Sequence, residues 1–320
     1  MNLKLSRQNF PFFATVIVCL LLYLAAGLAF RGFFSPLVLI NILSDNAFLG
    51  ITAVGLTFVI LSGGIDLSVG AVIGCTSILI ASMTQLLHLD PLATMAIVLA
   101  LGTLFGLGMG CLIHFFDLPP FLVTLAGLFL CRGLGLVIST ESIAISSPLY
   151  VKLSGLGLPL GHCLTLPLPA IIFMIVLAAG IFVSRLTPFG RHVYALGGHE
   201  PSARLMGLPI GRTKIGVYAL SGFCSALAGV VYTIYTQSGN AIAATALELD
   251  AIAAVVVGGT LLSGGVGNVA GTLVGVLIFG IIQTAITFQG SLSSWWTKIA
   301  VGVLLLVFIL LQRLIQRKRK

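Results

Sequence analysis

The sequence predicts an all-α, polytopic membrane protein with about ten transmembrane helices. Hydrophobic residues make up 58% of its 320 residues and charged residues only 8%, and the mean hydropathy is +1.18. Apolar stretches extend over the whole chain and leave far more apolar surface than one soluble core can bury. Because a membrane-spanning helix needs about 20 apolar residues, we expect residues 1–320 to form a single transmembrane domain.

Ten apolar segments mark the expected helices, and two of them are short. The predicted bounds are 10–30, 47–62, 69–87, 92–116, 119–139, 166–184, 215–236, 249–262, 269–289 and 298–312. As straight helices, the second and eighth segments reach only about 24 and 21 Å, whereas the hydrocarbon core is about 30 Å thick. Both run directly into a Ser-Gly-Gly sequence, so we expect two short or broken membrane segments.

The Ser-Gly-Gly sequences belong to a longer internal similarity. Residues 62–74, SGGIDLSVGAVIG, align with residues 263–275, SGGVGNVAGTLVG, at the serine, the two glycines after it and two later glycines. Glycine-interrupted segments at corresponding places in two halves are typical of transport pathways, where helix ends and free carbonyls contact a polar solute. Alternatively, the glycines only permit tight turns. Asp66 either faces a protein-lined path or caps the helix that begins near Ser68.

Other polar residues near the spans are also candidates for a pathway. Arg132 lies within a predicted span, where a charge costs about 2.5–3.5 kcal/mol, so it should face protein or water. Asp250 begins another span and either complements the helix dipole or contacts a solute. Trp295 and Trp296 either anchor the chain at the membrane interface or stack on a solute. The complete set of predicted pathway residues is Ser62, Gly63, Gly64, Asp66, Arg132, Asp250, Ser263, Gly264 and Gly265.

The distribution of basic residues predicts the orientation of the chain. With both termini in the cytoplasm, 12 of the 16 Lys and Arg residues lie inside, in agreement with the positive-inside rule. These residues are Lys4, Arg7, Arg185, Arg191, Arg204, Arg212, Lys214, Arg313, Arg317, Lys318, Arg319 and Lys320. The net charge of +8 reflects this bias and a basic tail suited to the lipid bilayer, and it implies no nucleic-acid partner.

The longest predicted cytoplasmic loop comprises residues 185–214. Pro201 and Gly207 flank the sequence SARLM, which favours a short helix with proline in its first turn and glycine at its end. Such a helix has too few apolar residues to span a membrane. It is either a docking element for a partner or part of an ordinary solvated loop.

Glycines spaced four residues apart have a plainer interpretation. They are Gly102, Gly106 and Gly110 in one span, and Gly267, Gly271 and Gly275 leading into another. Such rows let helices approach closely. We expect these glycines to pack against neighbouring helices and to carry no chemistry.

What the sequence lacks narrows the possible functions. No lysine follows a glycine, so the chain has no G-x-x-x-x-G-K-[ST] phosphate loop and any ATPase must be a separate protein. Arg132 is the one charge clearly within a predicted span, whereas an ion-coupled carrier normally has a carboxylate or histidine there. No spacing typical of a catalytic or metal site occurs, so we expect no enzyme activity, cofactor or metal.

Four stretches carry a family resemblance. They are SGGIDLSVG at 62–70, TLAGLFLCRG at 124–133, ALGGHEPSARLMGLP at 195–209 and ELDAIAAVVVGGTLLSGGVG at 248–267. Over nearly its whole length, the chain resembles the permease subunits of bacterial ribose- and galactose-type ABC importers. The stretches at 42–50, 235–239 and 292–300 are more similar still to galactofuranose-importing members of that family.

The resemblance implies sugar import across the bacterial inner membrane. It also implies three partners: a second permease subunit, identical or paralogous, an ATP-binding subunit and a periplasmic sugar-binding protein. The contact with the ATP-binding subunit is expected in the 185–214 loop, through His199, Glu200, Ser202, Arg204 and Gly207. Relatives often have asparagine in place of His199, which leaves open how the loop helix is capped. The alternatives are an ion-coupled sugar carrier and a non-transporting membrane sensor subunit.

Overall fold

The computed structural model describes residues 10–161, 164–291, 293 and 295–317. The described helices are α1 (Phe10–Ala29), α2 (Pro36–Asp45), α3 (Ala47–Leu61), α4 (Val69–Gln85), α5 (Pro91–Phe115), α6 (Pro120–Ile138), α7 (Pro148–Gly155), α8 (Leu168–Leu186), α9 (Pro188–Gly198), α10 (Glu200–Leu205), α11 (Ile210–Thr236), α12 (Leu247–Val257), α13 (Val269–Gln289) and α14 (Trp295–Arg317). The described strands are β1 (Ile143–Ala144), β2 (Gly157–Gly161), β3 (Leu164–Pro167) and β4 (Ser238–Gly239). This content agrees with the predicted all-α membrane class.

The number of membrane-spanning helices differs from the sequence prediction. Each of the ten predicted segments contains a helix. However, only six of the described helices (α1, α5, α6, α8, α11 and α13) are long and apolar enough to cross a membrane. The bent pair α2 and α3 makes a possible seventh span, whereas α4 and the Trp295–Leu310 part of α14 are shorter apolar helices. The count of about ten spans is therefore not confirmed, because several apolar segments are shorter than a bilayer requires.

Helix α3 lies at the centre of the protein. It packs against α8, α11, α12 and α13, and nearly all of its residues are buried. Apart from Thr52 and Thr57, its 15 residues are apolar on every side, as expected for a helix that is surrounded by protein. The two short helices, α3 and α12, contact each other. The Ser-Gly-Gly sequences thus follow helices that are enclosed by longer ones.

Three helices, α2, α7 and α9, lie where the sequence analysis placed loops. Helix α2 occupies residues between the first two predicted spans, and a bend of 57° separates it from α3. The side chain of Ser35 accepts a hydrogen bond from Leu37 N, and Pro36 occupies the first turn. Helix α9 begins in the same way, since Thr187 caps it and Pro188 follows. Both starts show the serine or threonine and proline pattern that favours helix initiation.

The rows of glycines pack helices together, as predicted. Helix α5 lies against α11, and a Cβ atom at Gly110 would come within 2.8 Å of Ile215 Cα. The other two glycines of that row meet Ala226 and the carbonyl group of Tyr218. In the second row, Gly275 meets the Ala254 carbonyl group of α12. Only residues without a Cβ atom permit these approaches.

The strands lie in loops at the end of the helix bundle that is opposite the Ser-Gly-Gly sequences. Strands β1 and β4 pair in antiparallel fashion, with Ile143 opposite Gly239. Strands β2 and β3 form an antiparallel hairpin. The pairing of β1 with β4 joins the segment after α6 to the segment that leads into α12.

Candidate functional site

Asp66 lies in the protein interior, between the end of α3 and the start of α4. Its side chain is fully buried. One carboxylate oxygen accepts hydrogen bonds from the backbone N–H (2.9 Å) and the hydroxyl (2.7 Å) of Ser68. The other accepts the hydroxyl of Ser221 on α11 at 2.7 Å. These bonds hold the start of α4 against α11.

The two Ser-Gly-Gly segments, residues 62–64 and 263–265, meet in space. The backbone N–H of Gly265 donates to the carbonyl oxygen of Leu61, the last residue of α3, at 2.9 Å. A Cβ atom at Gly264 would lie only 2.8 Å from Gly63 N. Gly63, Gly264 and Gly265 have φ angles of +85°, +81° and +73°. Glycine is required here both for its left-handed backbone and for the close approach.

The 185–214 loop reaches the same place through the end of α9. A Cβ atom at Gly197 would overlap the carbonyl oxygen of Leu61 and lie 2.6 Å from Gly265 N. Likewise, a Cβ atom at Gly265 would lie 2.6 Å from Gly198 Cα. We call residues 62–64, 197–198 and 263–265 the glycine junction. Three chain segments meet in it backbone against backbone.

Tyr194 adds a side-chain contact between α9 and the second Ser-Gly-Gly region. Its hydroxyl donates to the carbonyl oxygen of Gly267 at 3.0 Å. Burial raises the pKa of the Tyr194 phenol, although the positive charge of Arg185 opposes this effect. The hydroxyl therefore remains protonated at neutral pH and can donate this bond.

Helix α10 forms where the sequence predicted the short loop helix. The ring of His199 accepts a hydrogen bond from Ser202 N at 3.2 Å, so histidine serves as the cap. Glu200 accepts hydrogen bonds from Arg204 at 3.4 Å and from Lys214 of α11 at 2.8 Å. Gly207, with φ of +73°, ends the turn after the helix. The Glu200–Lys214 ion pair fastens α10 to the start of α11.

Arg132 binds backbone carbonyl groups. Its Nη1 donates to the carbonyl oxygens of Ala241 and, at 3.0 Å, Ala243. These alanines lie in the segment between β4 and α12, in which Ala244 and Ala246 have φ angles of +54° and +63°. Positive φ is uncommon for residues other than glycine. The guanidinium therefore holds in place a segment with an unfavourable backbone.

Asp250 lies at the opposite end of α12 from the glycine junction. It forms an ion pair with Lys298 of α14. Both side chains line a cavity of about 670 Å³ at the amino ends of α3 and α12, and Trp295 lies at the same cavity. Helix α12 has 11 residues and is therefore about 16 Å long. This length separates the cavity from residues 258–262, which lead into the junction.

The structure therefore unites some of the predicted pathway residues and separates others. The two Ser-Gly-Gly segments come together, whereas Arg132 and Asp250 lie apart from them. Sequence reasoning missed Tyr194 and the glycines at 197 and 198. A Gly-Gly pair is a recognisable signal of close backbone approach. Within the described residues, no group of three His, Cys, Asp or Glu side chains can hold a metal ion.

Comparison with known proteins identifies the family. A family model described as the branched-chain amino acid transport system / permease component matches residues 38–309. The chain belongs to this permease family. The permease is therefore a transport component and not an enzyme, and the resemblance seen in its motifs is confirmed.

Individual relatives align along almost the entire permease. The inner membrane ABC transporter permease protein YjfF of Escherichia coli is 51% identical over 307 residues, which cover 96% of this chain and 93% of YjfF. The fructose import permease protein FruG of Bifidobacterium longum is 36% identical, covering 97% of this chain and 92% of FruG. The ribose import permease protein RbsC of Haemophilus influenzae is 38% identical, covering 90% of this chain and 88% of RbsC. The comparison with solved structures gives no match.

Proposed function

We propose that this permease is the membrane-spanning subunit of an ATP-driven importer that carries a sugar, galactofuranose, from the periplasm to the cytoplasm. The observation that carries the proposal is the 51% identity to an ABC transporter permease over 96% of the chain. The names of the fructose and ribose import relatives support a sugar as the substrate. The choice of galactofuranose rests on the resemblance of residues 42–50, 235–239 and 292–300 to permeases for that sugar.

The proposed assembly contains this permease, a second permease subunit, an ATP-binding subunit and a periplasmic sugar-binding protein. It lies in the bacterial inner membrane with both permease termini in the cytoplasm. Several of the basic residues that support this orientation lie at 1–9 and 318–320, outside the described residues. The remaining inside charges cluster in the 185–214 loop and near the end of α14.

Helix α10 is the proposed docking site for the ATP-binding subunit. Leu205 and Met206 at its end are 89% and 67% exposed, which suits a protein partner better than water. A displacement of α10 reaches α9 directly and then the glycine junction. Because backbone meets backbone there, no flexible side chain absorbs the movement. ATP-driven motion is thereby transmitted to the end of α3 and to the segment that follows α12.

Uptake by reconstituted vesicles tests the proposal. The permease is assembled with its partners, and entry of a labelled galactofuranoside is measured with and without ATP and the binding protein. We expect uptake to require both. Uptake driven by an ion gradient without ATP would indicate a secondary carrier. Assembly without any uptake would indicate a sensor subunit.

Cross-linking tests the docking site in the same complex. Ser202 and Arg204 are exposed on α10, so a Ser202→Cys variant in a cysteine-free background should cross-link to the ATP-binding subunit. A Glu141→Cys variant, exposed on the other side of the protein, serves as the matched control and should not. Capture of lipid or permease alone from both Ser202→Cys and Arg204→Cys would refute docking at α10.

A further inference from the structure

The cavity at the amino ends of α3 and α12 combines polar groups with three aromatic side chains, Phe48, Phe279 and Trp295. Its volume of about 670 Å³ lies within the range of small-molecule sites. Its lining includes Asn46 at the bend between α2 and α3, Gln283 and Thr287 one turn apart on α13, and Trp295 at the start of α14. Amide and hydroxyl groups from the bend between α2 and α3 and from α13 therefore converge on one space.

The charges around this cavity disfavour an anionic ligand. Asp250 and Lys298 form an ion pair, so their charges offset each other. Asp45 also lines the cavity and accepts a hydrogen bond from the hydroxyl of Tyr235 at 2.9 Å. One carboxylate is thus in excess, which repels an anion such as a sugar acid or sugar phosphate. Carboxylate and amide oxygens accept hydrogen bonds from hydroxyl groups, and the Trp295 indole offers an apolar surface.

The position of the cavity connects it to the moving parts proposed above. Helices α3 and α12 begin at the cavity; α3 ends at the glycine junction, and α12 leads into the junction through residues 258–262. The cavity and the 185–214 loop thus lie at opposite ends of α3, and the loop also contacts the segment that follows α12. A ligand bound at one end is well placed to sense, and to be affected by, movement at the other.

We propose that this cavity is a binding site for a neutral, hydroxyl-rich sugar at the entrance of the route, an inference that rests on the proposed function. Asn46, Gln283 and Thr287 bind hydroxyl groups, and Trp295 covers an apolar face of the sugar ring. The Asp250–Lys298 ion pair holds α14 against α12 and closes one side of the site.

The two tryptophans of the chain allow a direct test. Trp295 lines the cavity, whereas Trp296 lies in a separate apolar groove beside Leu22 and Ile282. A Trp296→Phe variant therefore reports on the cavity alone, and a Trp295→Phe variant is the matched control. Full-length permease is placed in lipid nanodiscs, because the headgroup of a maltoside detergent is itself a sugar. Methyl galactofuranoside and ribose are the probes, and galactonate serves as the anionic comparison.

We expect a saturable change in tryptophan emission for Trp296→Phe with the neutral sugars, and none with galactonate or in Trp295→Phe. Adding Gln283→Ala should weaken binding about three- to tenfold, the effect of losing one hydrogen bond. Gln289→Ala, at the end of the same helix and outside the cavity, should have no effect.

A labelling experiment keeps the test independent of the tryptophan variants. In a cysteine-free background, the sugars should slow maleimide labelling of Thr287→Cys but not of Gln289→Cys. Neither an emission change nor protection, in a complex that still imports sugar with ATP, would overturn the cavity site and leave the proposed function standing. Saturable binding without ATP-dependent uptake would instead support the site and overturn the proposed function.

Discussion

At the scale of single residues, the role of Asp66 depends on whether its negative charge or its hydrogen bonds matter. Its carboxylate accepts hydrogen bonds from three donors on Ser68 and Ser221, and each donor is a neutral group. An amide in the same place can still accept from Ser68 and can donate to the Ser221 hydroxyl. None of these three donors therefore requires a negative charge on the Asp66 side chain.

We therefore expect Asp66→Asn to retain uptake and thermal stability, whereas Asp66→Ala loses about 2–3 kcal/mol because buried donors remain unpaired. The measurements are the melting temperature of the purified permease and uptake by vesicles. Glu141→Ala, an exposed carboxylate, is the control. A stable Asp66→Asn protein without transport would show that the charge itself acts in the pathway.

The hydrogen-bond partners of Arg132 are backbone carbonyl groups and not side chains. Replacing it with leucine removes the donor to the carbonyls of Ala241 and Ala243 and frees a segment with two alanines at positive φ. We expect Arg132→Leu to insert normally and to reduce uptake at least about tenfold, equivalent to about 1.4 kcal/mol. Arg132→Lys should keep part of the activity, since an ammonium group can still donate to a carbonyl.

Uptake at equal expression measures this effect. Lys152→Ala, an exposed basic residue on α7, should transport like the parent protein. Unchanged uptake by Arg132→Leu would show that the segment holds its conformation without the guanidinium.

At the scale of elements, the glycine junction offers a matched pair of neighbouring substitutions. A methyl group at Gly197 overlaps the Leu61 carbonyl oxygen, whereas one at Gly198 meets nothing within 4 Å. We expect Gly197→Ala to abolish most uptake, because α9 can no longer lie against the end of α3. Gly198→Ala should behave like the parent.

ATP-dependent uptake and ATP hydrolysis measured together distinguish the possible causes for Gly197→Ala. Hydrolysis without uptake indicates that motion fails to pass through the junction. Equal uptake by Gly197→Ala and Gly198→Ala would contradict a tightly packed junction.

At the scale of the whole molecule, the proposed orientation predicts which surface faces the periplasm and which faces the cytoplasm. Glu141 lies after α6 near β1, and Ser202 lies on α10; both are exposed. In spheroplasts, a membrane-impermeant maleimide should label Glu141→Cys without treatment and Ser202→Cys only after permeabilisation. The opposite pattern would invert the predicted topology.

The sequence by itself determined the membrane class, the apolar segments, the rows of packing glycines, the α10 helix and the permease family. These features depend on local composition and on proline and glycine signals, which act over a few residues. Helices α2, α7 and α9 were missed because hydropathy does not reveal short helices between spans, although a serine or threonine followed by proline begins each of them, at Ser35, Ser147 and Thr187. The number of spans also differed, since apolar character alone cannot distinguish a spanning helix from a short one enclosed by protein.

Only the tertiary structure decided which distant segments meet. The Ser-Gly-Gly segments lie about 200 residues apart in the chain, yet Gly265 bonds to Leu61, and Gly197 fits between them. The partners of Arg132 are backbone carbonyl groups. Because every residue has a carbonyl group, the sequence does not show which ones Arg132 binds. The cavity likewise exists because α3, α12, α13 and α14 pack around one space. Contacts between remote segments depend on the packing of all the helices together, and no local pattern contains that information.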